Sequence, residues 1–240
     1  MTDPDAALAA YSEYRRRHPE LFANPPDAAF EIIFEPEVQR AVSAGIAYQD
    51  EYYLLIRDAV RFRNGSVGPY IRLIHAAGSG GAAALPLLGG KVILIRHQRH
   101  ATRASHWEIP RGFAHQGEDP LETARREVEE ELGVSDPELE ELGSVHPDTG
   151  ASNGCTRLYL ARINKIGKAE SDEGIDETCQ VSLDQLYSMV RTGDITDSFT
   201  LAAVLQARIR GIFELAYICT NACRSAAIRT ARTSSGPINA

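Results

Sequence analysis

The chain has 240 residues, 43% hydrophobic and 24% charged, with a formal net charge of −8. These are the proportions of an ordinary soluble protein, long enough for one good core or for a domain plus an arm. The acidic excess argues against nucleic acid as a non-specific partner, because phosphate backbones want basic patches. Cys155, Cys179, Cys219 and Cys223 lack the spacing of a zinc site. No apolar run of about twenty residues is present, and no signal peptide is expected. The expectation is reduced thiols, a cytoplasmic location and no membrane span.

In chain order, residues 5–22 carry a helix-like segment, DAALAAYSEYRRRHPELF, ended near Asn24-Pro25-Pro26. Strands are expected at 30–34, 46–57 and 70–75. Tyr48, Tyr52, Tyr53 and Tyr70 on them, with Phe62, could line a base slot or serve as core and interface. Residues 76–90, AAGSGGAAALPLLGG, read as a loop or loose hairpin. A β-branched run at 91–96 reads as a strand.

The segment from Gly112 to Val134, GFAHQGEDPLETARREVEEELGV, is the most informative part of the chain. Asp119 suits an N-cap, Pro120 the first helical position and Glu122 the capping-box position. Leu121, Ala124, Val128 and Leu132 make a buried stripe, and Gly133 supplies the stop. Glu127, Glu130 and Glu131 fall at i, i+3 and i+4 and share one helix face. Like charges so placed repel, and a hard divalent cation would turn that repulsion into attraction. A solvated acidic face is the bland alternative. Arg126 lies off that face and can pair with Glu118 on the preceding loop.

Beyond the helix, residues 146–154 read as a loop and 158–163 as a strand. Glu170, Asp172, Glu173, Asp176 and Glu177 form a second acidic stretch, read as a loop. Ser182 opens a short helix closed by Gly193. A final helix follows, with Leu201, Val204, Leu205, Ile209 and Ile212 as its expected buried side. The tail, 216–240, turns polar and basic, and is expected to be partly disordered.

Gly112, Glu118, Arg126-Glu127, Val128, Glu130-Glu131, Gly133 and Val134 together resemble the Nudix hydrolase signature, G-x5-E-x7-R-E-U-x-E-E-x-G-U with U apolar. The preceding Trp107-Glu108-Ile109-Pro110-Arg111-Gly112 is similar to the W-E-L-P-A-G lead-in of the ADP-ribose pyrophosphatase branch. The resemblance implies an α/β fold, an α/β/α sandwich with a mixed sheet, plus an N-terminal antiparallel β arm. It implies Mg²⁺ or Mn²⁺ held by Glu127, Glu130 and Glu131, with the backbone carbonyl near Arg111 and Gly112 as a further ligand. Gly112, Glu118 and Arg126 would shape the motif. Arg99 would approach the substrate's diphosphate, for which a planar guanidinium is apt, and Glu108 could touch a ribose hydroxyl; a surface charge and a water-facing strand residue are the plain alternatives. A loop glutamate would activate water, Glu173 first and Glu177 second. This branch tends to carry a proline in the loop at 146–154, whereas Thr149 stands at that position here, with Pro147 nearby.

The expected organisation is a helix and dimerising β arm over 1–88, the hydrolase domain over 89–215 and the tail over 216–240. The expected activity is hydrolysis of a nucleoside diphosphate-linked small molecule, ADP-ribose to AMP and ribose 5-phosphate first, by a homodimer. Another nucleotide sugar or a dinucleotide as substrate, or a non-catalytic nucleotide sensor, are the alternatives. An isoprenoid diphosphate isomerase would want a Cys and Glu pair, and no cysteine flanks the motif.

Overall fold

The computed structural model describes residues 3–75, 80–169 and 174–213. Glu173 and the tail from 216 onward, with Cys219 and Cys223, lie outside the described residues. Two compact units divide the chain. The first takes residues up to Gly80 together with His146–Cys155, and the second takes Gly81–Val145 and the chain from Thr156 onward. Among the described residues no helix is long and apolar enough to cross a membrane.

The first unit opens with α1 (Pro4–Arg17), capped by the Asp3 carboxylate. Pro19 ends it by removing a donor and disfavouring helical geometry at His18, so the expected single helix becomes α1 and a short 3-10 turn, Pro19–Phe22. Next come β1 (Phe30–Ile32), α2 (Pro36–Ala41), β2 (Gly45–Gln49), β3 (Tyr53–Phe62) and β4 (Val67–His75). The expected strand over 46–57 is broken into β2 and β3 because the Asp50 carboxylate accepts the backbone N–H groups of Tyr52 (2.8 Å) and Tyr53 (2.6 Å) and closes a turn. All pairings in this four-stranded sheet are antiparallel, with β3 bonded to β1, β2 and β4. Leu54, Ile56, Ile74 and Ile46 pack with Tyr11 and Phe22 to form its core.

The second unit contains β5 (Ala82–Leu88), β6 (Lys91–Arg99), β7 (Ala104–Glu108), β8 (Arg111–Gly112), α3 (Pro120–Leu132), β9 (Glu138–Val145), β10 (Thr156–Arg162), β11 (Ile175–Val181), α4 (Leu183–Thr192) and α5 (Ser198–Ile209). Its sheet runs β11-β6-β5-β10-β9, with β7 on β6 and β8 on β5. β5 and β10 are parallel and the other pairs antiparallel, which makes the sheet mixed. Residues 82–88, expected to be loop or loose hairpin, are thus a buried strand at the heart of the sheet that turns at Gly89-Gly90 into β6, and the unit starts at Gly81, before the expected boundary at 89. Small alanines hid the strand from a propensity reading, but they suit a sheet covered on both faces.

Alternation sorts the two faces. Ala82, Ala84, Ile93, Ile95, Tyr159 and Ala161 pack with Ala124, Val128 and Leu132 of α3. Ala83, Leu85, Leu87, Val92, Leu94, Leu158 and Leu160 pack with Leu186 of α4 and Ala203, Val204 and Ala207 of α5. Helices on both faces make the α/β/α sandwich and explain why these strands read as continuous apolar runs. On α5, Leu205 and Ile209 are exposed at 57% and 72%, contrary to expectation, because the small residues Ala203 and Ala207 face the sheet.

Candidate functional site

β5 and β6 pair only beside their connecting turn, at Leu87 with Val92 and Leu88 with Lys91. Beyond that the strands part, and the segment from Ala104 to Gly112 fills the gap, first pairing with β6 and then with β5. The Pro110 carbonyl accepts the Ala84 N–H at 2.9 Å. The Ile109 N–H, buried, donates to Thr200 Oγ1 at 3.1 Å, which ties this crossing to the start of α5. The crossing places Gly112 against α3 and the Arg111 side chain beside α5.

Gly112 sits against the Glu127 carboxylate so closely that a β-carbon there would overlap it. Only glycine permits this approach. α3 itself begins and ends as its sequence dictates. The Asp119 carboxylate accepts the Leu121 N–H at 2.8 Å, and Gly133 closes the helix with φ 64°.

Arg126 and Glu118 form the expected pair, with Nε 3.2 Å from Glu118 Oε1. Glu118 also accepts the His115 N–H at 2.8 Å and the Thr123 hydroxyl at 3.0 Å. Desolvation opposes its charge, but the hydrogen bonds from Arg126, His115 and Thr123 win and hold its pKa at about 2. Arg126 also donates to the Phe113 carbonyl at 2.9 Å. The loop is therefore laced to the helix by one guanidinium.

Arg126 does more than expected. Its Nη1 reaches onto the carboxylate face, 2.6 Å from Glu127 Oε1 and 3.1 Å from Glu130 Oε2. A cation between two carboxylates relieves their repulsion. Glu127, Glu130 and Glu131 are not gathered around one point. Among the described residues no three Asp, Glu, His or Cys side chains form a cluster that could hold a metal ion. The donor set nonetheless suits a hard divalent cation. It consists of carboxylate oxygens on one helix face, Glu127 and Glu131 are 5% and 1% exposed, and the missing β-carbon of Gly112 lets the Glu127 carboxylate lie against the backbone there.

On the side of α5 lies a cleft of about 390 Å³. Arg99, Thr102, His106, Glu108, Arg111 and Asp197 are among its lining residues. Glu108, expected to meet a ribose hydroxyl, is 2% exposed. Its Oε2 accepts Arg99 Nη2 at 2.6 Å and Arg99 Nε at 2.9 Å. The same oxygen lies 3.3 Å from Arg111 Nη2. Arg111 Nε stands 3.7 Å from Asp197 Oδ1, and its guanidinium lies 4.6 Å from the centre of the Phe199 ring. Asp197 Oδ2 caps α5 by accepting the Thr200 N–H and hydroxyl, both at 2.8 Å. Arg111 had been singled out only for its backbone carbonyl. Asp197, Phe199 and Thr200 were not singled out at all, since partners some ninety residues apart leave no local pattern, although the N-cap position of Asp197 was open to reading.

Glu177 is not on a loop. It lies on edge strand β11, with Oε2 4.0 Å from Arg96 Nη1 of β6. Cys179, on the same strand, has its thiol pKa pushed up by burial and by the nearby Glu177 charge.

The sequence model of the NUDIX domain matches residues 79–200. A methanol dehydrogenase activator from Bacillus methanolicus is 33% identical over 119 residues, 48% of this chain and 63% of that protein. The chain thus spans less than two thirds of that relative. An ADP-ribose pyrophosphatase from Mycobacterium tuberculosis is 28% identical over 170 residues, 68% of this chain and 80% of its own length. Another from Bacillus subtilis is 26% identical over 125 residues, 50% and 67% of the two chains. A crystal structure of an ADP compounds hydrolase superposes with a TM-score of 0.60 at 15% identity, over 80% of this chain and 98% of the other, a likeness of fold.

Proposed function

From the premise that the chain belongs to the NUDIX domain family, we propose that it is a divalent-cation-dependent pyrophosphohydrolase of nucleoside diphosphate-linked compounds. ADP-ribose is the first substrate to test, with AMP and ribose 5-phosphate as products. The observation that carries this reading is the carboxylate face of α3. Glu127 and Glu131 stand one helical turn apart and almost out of water, with Glu130 between them in sequence and 45% exposed at its side chain. Burying two carboxylates side by side is costly for a fold alone. It suits a protein that takes up cations there.

Glu127, Glu130 and Glu131 would hold Mg²⁺ or Mn²⁺, with the backbone carbonyl at Arg111 and Gly112 as a further donor. When bound, such an ion supplies charge neutralisation on the phosphoryl oxygens and favours ionisation of water. The chain's own groups do the rest. Arg99, fixed by Glu108, presents its guanidinium edge to the diphosphate. A glutamate of the 170–177 segment, Glu173 before Glu177, accepts a proton from the attacking water. The water oxygen forms a bond to one phosphorus, the P–O bond to the bridging oxygen breaks, and that oxygen leaves with the second phosphate.

The first unit supports a second part of the reading, a homodimer joined through the β arm. Tyr48, Val67 and Ile71 are 55%, 41% and 50% exposed. They pair with Leu55, Arg61 and Arg57, odd-numbered positions of β3, and so share the sheet face opposite Leu54 and Ile56.

A panel of ADP-ribose, other nucleotide sugars and dinucleotides, assayed with Mg²⁺ and Mn²⁺, tests the activity. Expected are cation-dependent release of a nucleoside monophosphate and a fall of roughly a hundredfold or more in Glu130→Gln, of the size seen when one transition-state charge contact is lost. Wild-type turnover in Glu130→Gln would remove the assignment of the carboxylate face. A rate unchanged in Glu173→Gln but lost in Glu177→Gln would reverse the order of the two bases.

A further inference from the structure

We propose that Arg111 is a second substrate-binding cation, which determines specificity for a ligand with two adjacent phosphoryl groups, and that Asp197 and Phe199 position it. The inference rests on the hydrolase reading above. Where the lead-in W-E-L-P-A-G carries a small alanine, this chain carries Arg111. The side chain lines the same cleft as Arg99. Both guanidiniums are anchored on one carboxylate oxygen, Glu108 Oε2, at 2.6 and 3.3 Å.

An arginine placed only for stability would close its fork on a carboxylate. Here one oxygen is shared between two guanidiniums. Among the described residues, Nη1 of Arg99 and Nη1 of Arg111 have no hydrogen-bond partner. The burial order gives the cleft its sign. The side chains of Glu108 and Asp197 are 2% and 7% exposed, whereas those of Arg99 and Arg111 are 24% exposed. The carboxylates lie behind and the cations face forward. Two forks held side by side offer separate donors to each of two neighbouring phosphoryl groups.

Arg111 is held on three sides, by Glu108, by Asp197 Oδ1 and by the face of Phe199. Asp197 divides its two oxygens between Arg111 and the first turn of α5. It transmits the placement of α5 to the cation, and through Thr200 the same turn holds the Ile109 backbone.

Titration calorimetry of ADP and AMP at fixed Mg²⁺ tests the proposal on wild type, Arg111→Ala, Arg111→Lys and Asp197→Asn, each first compared with wild type by circular dichroism. Wild type is expected to prefer ADP. Arg111→Ala should weaken ADP roughly tenfold or more, as for loss of a charge-assisted hydrogen bond, and leave AMP unchanged. Arg111→Lys should restore part of the preference, and Asp197→Asn should fall between. If Arg111→Ala keeps the wild-type ratio of ADP to AMP affinity, or if wild type shows no preference, the assignment is overturned. Should Arg111→Ala fail to fold, the ratio in Arg111→Lys decides, and an unchanged ratio there overturns it equally. The two readings fail separately. A wild type that hydrolyses no diphosphate compound, yet loses its ADP preference in the variants, sinks the hydrolase reading and keeps the second cation.

Discussion

Glu118 shows how a residue outside the chemistry sets its geometry. Its carboxylate is held below the usual range, from 4.5 to about 2, by Arg126, the His115 N–H and Thr123. Because the folded group binds its proton less tightly than the unfolded one, this contribution to stability is complete above about pH 4.5. It is lost as pH falls through the folded value near 2. Thermal melts of wild type and Glu118→Gln should therefore differ by a constant amount above about pH 5 and converge towards pH 2; a parallel offset at all pH values would contradict the role given to the charge. Gly112→Ala is a second case. The new methyl would displace the Glu127 carboxylate, and turnover should fall by tenfold or more in a protein whose far-ultraviolet spectrum is unchanged. The motif residues were legible because their spacing is fixed by one helix and one loop. The reach of Arg126 to Glu127 and Glu130 was not, because a long side chain chooses among carboxylates on both sides of its position. The burial of Glu108 was not legible for a related reason, since it depends on two arginines that converge only once the sheet has formed.

Among the elements, α3 and α4 were legible from local start and stop signals. α3 runs from its Asp119 cap to Gly133, and α4 has the Ser182 and Gln185 capping box and ends at Gly193. Elements set by tertiary context were missed. β5 is an Ala-rich strand and α2 a six-residue helix, while β11 begins in an acidic stretch and becomes a strand by pairing with β6. The joint between α5 and the crossing before β8 gives a direct test. Thr200→Val removes the acceptor of the buried Ile109 N–H and a donor to Asp197. Leaving that N–H without a partner should cost about 1–3 kcal/mol, measured by urea unfolding; a loss below about 0.5 kcal/mol, the level of an ordinary surface change, would show that the joint bears no strain. In the first unit Tyr11 donates to Asp58 at 2.6 Å, and Arg72 Nε lies 2.6 Å from the same carboxylate. Burial, then the Asp58 charge, pushes the Tyr11 pKa far up, so this hydroxyl keeps its proton at any working pH. Tyr11→Phe should destabilise the anchoring of α1 by about 1.5–3 kcal/mol, the range for a bond to a charged partner, with hydrogen exchange accelerated first in residues 4–17.

For the molecule as a whole, the proposed homodimer predicts that Ile71→Lys, a charge put in place of an exposed apolar side chain of the four-stranded sheet, shifts sedimentation towards a monomer. An unchanged dimer would move the interface elsewhere, and a wild-type monomer would end the proposal. The sandwich and its mixed sheet were accessible from family resemblance, whereas the border between the units was not. It falls at Gly80 and Gly81 and again on either side of His146–Cys155, a loop that belongs with the first unit although β9 and β10 flank it. Leu73 of β4 receives the loop through its N–H to the Ala151 carbonyl at 2.7 Å, and through its carbonyl from the Asn153 N–H at 3.2 Å.

That stitched loop has a bearing on how such a molecule can be inherited or rebuilt. A gene segment starting at Gly81 would carry ten codons whose fold depends on a neighbour left behind, and a segment ending at Gly80 would lack them. Recombination that treats the units as interchangeable beads would therefore part that loop from the strand it is bonded to.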